Sequence, residues 1–217
     1  MSKARSEAEL SDELDADLTW RLKELSDLKQ AIRDAPSTNR KVLLKALVAL
    51  SYAHWEGLVK SSAQRYFDYI TNRRLNYSML ERQMYVNSFL VRLAAFSNQK
   101  PALGDRINLV NEILESQDKR FSKIHPDLIH TGSNLKHEVL VNICKICGID
   151  YLQFDGEVAF IDEILLKRRN AIAHGDDSVV AFEEIDHLVD GTIKLMRTFK
   201  NSLENKVYEK KYLANLI

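Results

Sequence analysis

The fold is decided by the segment Lys41-Val-Leu-Leu-Lys-Ala-Leu-Val-Ala-Leu-Ser-Tyr-Ala-His-Trp-Glu-Gly-Leu-Val-Lys60. Its apolar residues recur at intervals of three and four, which is the spacing of one face of an α-helix. Because this apolar face is wide, the pattern predicts a helix over 39–74 that runs through the centre of a helical bundle. The polar stretch that begins at Pro36 predicts a break in the chain before this helix.

Helical periodicity continues on both sides of this segment. The chain holds only seven glycines and three prolines, and so few helix breakers favour long helices. The other predicted helices cover 7–34, 78–97, 103–121, 135–147, 156–174 and 182–212, and 122–134 is the predicted irregular loop. The sequence therefore predicts one all-α domain over 1–217 with long central and C-terminal helices, in which 39–205 forms the core bundle and 1–36 a peripheral N-terminal helix.

Composition and charge exclude several classes of protein. The formal net charge is +0, whereas a general nucleic-acid coating protein is usually basic, so any nucleic acid should be bound at a local basic site. We expect no membrane span, because the chain has no run of about 18 apolar residues. The N-terminus lacks the apolar region of a secretion signal, and two cysteines without such a signal predict free thiols in a cytoplasmic protein.

The most specific chemistry lies in the segment Leu165-Leu-Lys-Arg-Arg-Asn-Ala-Ile-Ala-His-Gly-Asp176. Asn170 and His174 are four residues apart, so they share one face of the predicted helix. Lys167, seven residues before His174, falls close to the same face of the helix. Arg169 projects to one side of it, but its long side chain can swing towards the histidine. The segment thus offers three cations, an amide and a titratable imidazole at one helix end.

The end of this predicted helix favours a charged imidazole. His174 lies in the last turn, and Gly175 follows it at the position where helices commonly stop. The negative end of the helix dipole and the nearby Asp176 predict a raised pKa for His174, which suits a general acid near neutral pH. The alternative is that His174 only caps the helix.

These side chains suit cleavage of RNA by its own 2′-hydroxyl group. That reaction needs a proton removed from the hydroxyl, a proton given to the leaving oxygen, and stabilisation of the charge on phosphorus. A histidine transfers protons and an arginine binds phosphate oxygens in a bidentate manner, so no metal is required. One copy of the motif supplies one histidine, and a symmetric dimer would bring two together as acid and base.

The motif resembles that of a known superfamily. The stretch Arg169-Asn-Ala-Ile-Ala-His174 matches the Arg-(four to six residues)-His signature of HEPN proteins, with a polar residue directly after the arginine. Its flanks resemble the small defence-associated MAE-type branch of prokaryotes. The stretch Leu50-Ser-Tyr-Ala-His-Trp-Glu-Gly-Leu-Val-Lys60 is similar to the central helix of that branch, and the resemblance spans roughly 40–205.

The resemblance implies an all-α bundle and a metal-independent endoribonuclease of a toxin–antitoxin, restriction-linked or antiviral defence system. Arg169 and His174 would carry catalysis, with Asn170 in support. The implied partners are RNA, a second copy or a related HEPN chain, and an antitoxin or regulatory protein, without a cofactor. Asp176 stands where some HEPN toxins carry a tyrosine that a nucleotidyltransferase modifies, so that pairing is in doubt. Other HEPN domains are non-catalytic dimerisation or interaction modules, which is the alternative function.

Three further residues are candidates for a supporting role. Glu56 could pair with Arg168 or Arg169 and orient the site, or it could be an ordinary solvated or structural carboxylate. Gly57 beside it indicates a close helix crossing. Lys167 and Arg168 are the other supporting candidates, because they flank the motif and are basic.

Packing or solvation explains the remaining candidates better than chemistry does. Cys144 and Cys147 have zinc-like spacing, but a single pair inside an apolar helical pattern predicts buried cysteines and no metal site. His54 is expected at the surface or in the core. The others are expected to be packed aromatic residues or solvated helix ends: Tyr66, Phe67, Tyr69, Arg73, Arg74, Lys210 and Lys211. The last four would gain a role only if a dimer groove joined them to the motif.

Overall fold

A computed structural model describes residues 4–99, 101–176 and 180–214, and this part of the chain is all-α, as predicted. It holds a π-helix at Phe160–Lys167, no β-strand, and seven α-helices: α1 Glu7–Asp34, α2 Ser37–Asn72, α3 Arg82–Gln99, α4 Leu103–Glu115, α5 His137–Cys147, α6 Arg168–Ala173 and α7 Ile185–Tyr208. The residues buried from solvent form one apolar cluster that draws on most of these elements.

Helix α2 is the central element, as its apolar pattern predicts. It packs against α1, α7 and the helix that carries the motif. The side chains of Trp55, Leu58, Val59 and Ala63 are fully buried. By length and composition alone α2 could cross a membrane, with a hydropathy of 1.3 over its most apolar window, but half of that window is buried inside the bundle. Its apolar character is therefore that of a core helix.

Helix α1 belongs to the core, which corrects the expectation of a peripheral element within 1–36. The Ser6 side chain caps it by accepting a hydrogen bond of 3.1 Å from the Glu9 N–H. Leu10, Leu14 and Leu25 recur on one face and are at most 1% exposed. This face packs on α2 and α7, so α1 completes a three-helix core.

Several helix boundaries differ from the predicted ones. Helix α2 already begins at Ser37, directly after Pro36, and α3 begins at Arg82. Helix α4 ends at Glu115 and not near residue 121. After α4 the chain runs to Phe121, which is fully buried and whose N–H donates to the Leu75 carbonyl over 2.8 Å.

The apolar face of α4 is turned to solvent. Ile107, Val110 and Leu114 recur at the helical spacing of the predicted helix over 103–121, but their side chains are 51%, 53% and 68% exposed. Of the residues in α4, only Leu109 is buried. The helix pattern is therefore correct, but the apolar face that it describes is exposed.

A buried polar network joins α1 to α2. The Asp17 carboxylate accepts hydrogen bonds from Arg21 over 3.2 Å, from Arg65 over 2.9 Å and from the Ser61 hydroxyl over 2.5 Å. Burial raises the pKa of Asp17, but the Ser61 hydrogen bond and the charges of Arg21 and Arg65 outweigh it, so the pKa is lowered overall. Asp17 is therefore ionised in the folded protein near neutral pH.

Gly57 makes room for this network. A Cβ atom at Gly57 would lie 2.8 Å from Nη1 of Arg21, so the close approach expected at this glycine is made by a buried guanidinium from α1. The same Nη1 lies 3.5 Å from Nδ1 of His54, and the Trp20 ring stands edge-on to the His54 ring at 5.1 Å. His54 is accordingly a core residue, 4% exposed.

Candidate active site

The motif lies at the end of a helix of mixed type. The π-helix Phe160–Lys167 runs directly into α6, whereas the sequence predicted one α-helix over 156–174. In a π-helix each N–H bonds to the carbonyl five residues back. Such segments are rare in proteins, but those that occur are often found at functional sites. The α-helical spacing therefore applies only from Arg168 onward. Lys167 is the last residue of the π-helix, and the segment that separates it from His174 is α-helical.

The packing of Phe160 against α7 accompanies this irregular helix. A Cβ atom at Gly191 would overlap the Phe160 ring, so only a glycine lets α7 pass this close to the π-helix. The His187 ring meets the same phenyl ring edge-on at 5.4 Å. Phe160 is 6% exposed. The π-helix is thus locked against α7 at its first residue.

The helix ends at His174 as predicted. Gly175 has a φ of +85°, and its N–H donates to the Ile172 carbonyl over 3.1 Å. The Asp176 N–H donates to the Ala171 carbonyl over 2.9 Å. These two bonds form a Schellman motif, which satisfies the last carbonyls of the helix. The His174 side chain is exposed, and within the described residues it forms no hydrogen bond or ion pair.

Arg169 is fixed against a tyrosine of the central helix. The centre of its guanidinium lies 4.0 Å from the centroid of the Tyr52 ring, a cation–π contact. Its Nη2 donates to the Ser133 carbonyl over 2.5 Å. Within the described residues the buried Nε–H has no acceptor, and no carboxylate forms an ion pair with this arginine. The positive charge of Arg169 is therefore not paired with a carboxylate, and some of its N–H groups can still donate to a ligand.

The loop that contacts Arg169 is itself held by α2. The Tyr52 hydroxyl accepts a hydrogen bond of 2.6 Å from the Leu135 N–H. One turn further along α2, the Glu56 carboxylate accepts a hydrogen bond from the buried hydroxyl of Thr131. Two side chains of α2 therefore clamp the 131–135 loop at both ends, and the Ser133 carbonyl between them reaches Arg169.

Asn170 also contacts this loop. Its Nδ2 donates to Oδ1 of Asn134 over 3.3 Å, and Nδ2 of Asn134 donates to the Gly132 carbonyl over the same distance. Asn134 does not cap α5, which begins at His137. The His137 N–H instead donates to the carboxylate of Asp162 in the π-helix over 2.7 Å.

The supporting candidates have other partners. Arg168 forms a bidentate pair with Glu184 at 2.9 and 3.1 Å, and Lys167 pairs with Glu163 at 2.6 Å on the exposed surface. Glu56 contacts Thr131 and, within the described residues, forms no ion pair with Arg168 or Arg169. The pairing considered from the sequence is thus replaced by a clamp on the loop.

Two pKa shifts describe the electrostatics of this region. Burial raises the pKa of Tyr52, against the hydrogen bonds from Leu135 and Arg169, so its phenol is neutral near pH 7. The Arg168 hydrogen bonds lower the pKa of Glu184, which is therefore ionised. Arg169 therefore lies on the uncharged ring of Tyr52, whereas Arg168 is paired with the ionised carboxylate of Glu184.

Three residues of this site were missed from the sequence: Tyr52, Ser133 and Asn134. Tyr52 lies four residues before Glu56 on one face of α2, so helical spacing could have grouped the two. The contact of Arg169 with the Ser133 carbonyl is made across 36 residues, and a backbone acceptor leaves no signal in the residue type. No pattern in the sequence could have indicated it.

The other candidates lie where packing was expected. Cys144 and Cys147 are buried free thiols, and burial raises the pKa of Cys144 to about 12. Tyr66, Phe67 and Tyr69 are fully buried. Among the residues that the structure describes, no group of three or more His, Cys, Asp or Glu side chains is placed to hold a metal ion.

The family relation follows from a comparison with protein-family models. A model described as RiboL-PSP-HEPN matches residues 16–205, which is most of the chain. The chain belongs to the RiboL-PSP-HEPN family. No curated protein and no solved structure matches it. The RiboL-PSP-HEPN match begins inside α1, so it takes in more of the N-terminal helix than the resemblance over 40–205 did. HEPN domains are typically ribonucleases or nucleotide-binding modules of defence systems.

Proposed function

We propose that this HEPN protein is a metal-independent endoribonuclease of a toxin–antitoxin or antiviral defence system. It cleaves RNA at a dimeric site that contains Arg169, Asn170 and His174 from each copy. The assignment to the MAE-type branch, the dimer and a restraining antitoxin or regulatory protein are parts of this proposal. Cytoplasmic RNA is its substrate.

One observation carries the proposal. Arg169 is held on a tyrosine ring without a carboxylate partner, at a helix end where His174 is exposed. An arginine that serves only structure is normally paired with an acid, as Arg168 is with Glu184. An uncompensated guanidinium and, five residues later at the end of the same helix, a free imidazole are instead the groups that a site for a phosphodiester uses.

The chemistry requires no group beyond these side chains and the RNA. A base removes the proton of the 2′-hydroxyl, and the 2′-oxygen attacks phosphorus. The bond from phosphorus to the 5′-oxygen breaks, and an acid protonates that oxygen to leave a 2′,3′-cyclic phosphate. His174 of one copy acts as the base and His174 of the other copy as the acid, and Arg169 stabilises the charge on the phosphorane oxygens. Asn170 orients the substrate as a neutral hydrogen-bonding group.

Expression in an inducible host tests the proposal. Wild type, Arg169→Ala and His174→Ala are compared for growth and for the integrity of total RNA, with His125→Ala as an exposed histidine control. We expect growth arrest and RNA fragments from wild type and from the control, and neither from the two motif variants. Arrest that survives His174→Ala would contradict the assignment of the motif.

The second candidate is a non-catalytic HEPN subunit that mediates dimerisation or interaction within a defence complex. The favouring observation is that Arg169 and Asn170 already make contacts within their own chain. This function predicts intact RNA and unaffected growth for every variant, together with a stable dimer or complex in solution.

A further inference from the structure

Three arginines line one open cleft at the C-terminal end of α2, away from the motif. Arg5, Arg73 and Arg74 border this cleft, which has a volume of about 550 Å³. Asn72 and Leu75 complete its wall. We call it the α2-end cleft. The chain as a whole has a formal net charge of +0, so three guanidinium groups around one cleft are a local concentration of positive charge.

Arg73 is held in place by aromatic rings. Its guanidinium lies 5.3 Å from the centroid of the Tyr69 ring and 6.0 Å from that of the Tyr212 ring. One of its N–H groups donates to the Tyr69 hydroxyl over 2.8 Å. Both rings are at most 1% exposed, so they form a rigid support. Four of the five N–H donors remain for a ligand, on a side chain that loses little freedom when it binds.

The arginines of the α2-end cleft have no ion-pair partner in the described part of the chain. Within the described residues, no ion pair joins Arg5, Arg73 or Arg74 to an acid. Glu9 lies nearby and keeps its negative charge, but its carboxylate contacts the Arg5 backbone N–H over 2.6 Å and forms no ion pair with a guanidinium of the cleft. Glu7 is the other acid of this helix turn, and its charge acts on the Tyr69 hydroxyl. The guanidinium groups thus face solvent with their charge available.

The neighbouring loop adds two more cations. The Tyr77 N–H donates to the Lys119 carbonyl over 3.0 Å, and Arg120 pairs with Asn76 through a backbone bridge. Lys119 and Arg120 are exposed. Their backbone contacts are with Tyr77 and Asn76, which directly follow the cleft residue Leu75 in the chain. Several cations without paired acids at one surface are the electrostatic footprint of a polyanion site, because affinity for a phosphate backbone comes from neutralising several phosphates together.

The distance from the motif fixes the kind of ligand. Tyr52, which supports Arg169, and Arg73 lie on one continuous helix, and about 21 residues at 1.5 Å each separate them by about 30 Å. A stacked strand rises about 3.4 Å per nucleotide, so roughly nine nucleotides span this distance. A mononucleotide or a free phosphate cannot occupy both places, whereas a single RNA strand can.

We infer that the α2-end cleft is a second RNA site, which binds the phosphodiester backbone of strands longer than about nine nucleotides while their scissile bond lies at Arg169 and His174. The link to the scissile bond rests on the proposed function, but binding at the cleft does not. The site makes affinity depend on the length of the RNA and not on its base sequence, since arginine–phosphate contacts carry no sequence information.

Binding of 2′-O-methyl RNA tests this inference without cleavage, because the 2′-hydroxyl that the proposed reaction needs is blocked. Fluorescence anisotropy compares labelled strands of six and twenty nucleotides with wild type and with the double variant Arg5→Ala/Arg74→Ala. Arg73 is kept, since its ring contacts could affect folding. The double variant Arg82→Ala/Arg197→Ala is the control, because it removes the same charge from exposed positions elsewhere.

We expect Arg5→Ala/Arg74→Ala to weaken binding of the twenty-nucleotide strand roughly tenfold. The fall of the logarithm of the binding constant with the logarithm of salt concentration should become shallower, by about 1.4 in slope. Binding of the six-nucleotide strand should change less than twofold, and the control should leave both unchanged. An unchanged affinity for the long strand, or an equal loss in the control, would overturn the inference. RNA that binds by length but is never cleaved in its unmodified form would refute only the proposed function.

Discussion

The Tyr52 side chain decides where the charge of Arg169 lies. Its ring is 3% exposed and supports the guanidinium from below, while its hydroxyl holds the loop that supplies the Ser133 carbonyl. A cation on a partly desolvated aromatic face gains about 0.5–2 kcal/mol. Without this ring, Arg169 would sample several rotamers. Binding of RNA would then have to order the arginine side chain, and that entropy cost would reduce the net binding free energy.

We predict that Tyr52→Leu lowers kcat/KM for RNA cleavage about tenfold, because the cation–π support is lost. Tyr52→Phe keeps the ring and removes the hydroxyl, which accepts a hydrogen bond from the Leu135 N–H and donates one to the Ser133 carbonyl, so its loss should be under threefold. Steady-state kinetics on a defined RNA measure both, and urea unfolding midpoints show whether either variant is destabilised. Equal losses in the two variants would mean that the hydroxyl, and not the ring, positions Arg169.

His54 makes the junction of α1 and α2 sensitive to acid. Burial lowers its pKa below the usual value, the Arg21 charge lowers it further, and Glu24, 3.1 Å away, opposes both. The folded protein therefore prefers neutral His54. Its contribution to stability is complete above pH 6.5, the usual value, and is lost as the pH falls from there towards the lowered pKa, because the unfolded chain takes up the proton first.

We predict that the urea midpoint of wild type falls between pH 7.5 and pH 5.5 and that His54→Gln flattens this fall. Glutamine keeps a polar side chain of similar reach but does not titrate in this range. Asp17 does not interfere, because its lowered pKa places its loss of stability below pH 3.8, the usual value. A pH dependence that is unchanged in His54→Gln would assign it to another group.

At the scale of elements, the π-helix before the motif depends on α7. Phe160, the first residue of the π-helix, covers Gly191, where no side chain would fit. Arg168, the first residue of α6, pairs with Glu184 just before α7 begins. The segment between these contacts therefore has both ends fixed to one neighbouring helix, and its register is set by packing.

We predict that Gly191→Ala destabilises the protein by about 1–3 kcal/mol, because the added methyl group overlaps the Phe160 ring and forces the two helices apart. Gly104→Ala is the matched control. Nothing lies within 4 Å of that position in α4, so alanine should stabilise by about 0.5–1 kcal/mol there. Urea unfolding of both variants measures the difference. A neutral Gly191→Ala would show that α7 can shift without cost.

The elements show which parts of the fold the sequence could predict. Apolar periodicity predicts α1, α2, α3, α5 and α7 to within four residues of their ends, whereas α4 ends six residues before its predicted end and α6 is only the last part of a predicted helix. It does not predict the π-helix, since Phe160, Ile161 and Leu165 fit an α-helical face equally well. It also cannot tell that the apolar face of α4 is exposed, because periodicity shows that a helix is amphipathic and not what covers its apolar side.

For the candidate site, the sequence supplies the motif but not its surroundings. Arg169, Asn170 and His174 are recognisable because their spacing is local. Their contacts come from Ser133 and Asn134, which lie in an irregular loop. The position of a loop depends on tertiary contacts, here the two hydrogen bonds to α2, and these contacts have no local periodicity.

At the scale of the whole molecule, the proposed site requires two copies of the chain. Each copy brings one exposed His174, and the proposed reaction needs an acid and a base. We predict that activity per copy rises with protein concentration and reaches a plateau above the dissociation constant of the dimer. Initial rates over a hundredfold dilution series, with masses measured by light scattering, test this. Constant activity per copy in a sample that is monomeric throughout would refute the dimeric site.

The network that joins α1 to α2 also provides an optical readout of its own state. The protein has two tryptophans, and they occupy opposite environments: Trp55 is fully buried in α2, whereas Trp20 is 44% exposed and stands against His54 in the network. Emission from Trp55 should shift to the red only when the bundle unfolds. Emission from Trp20 should respond as soon as α1 moves away from α2. Detachment of one helix and unfolding of the whole chain can therefore be distinguished by intrinsic fluorescence, without an added label.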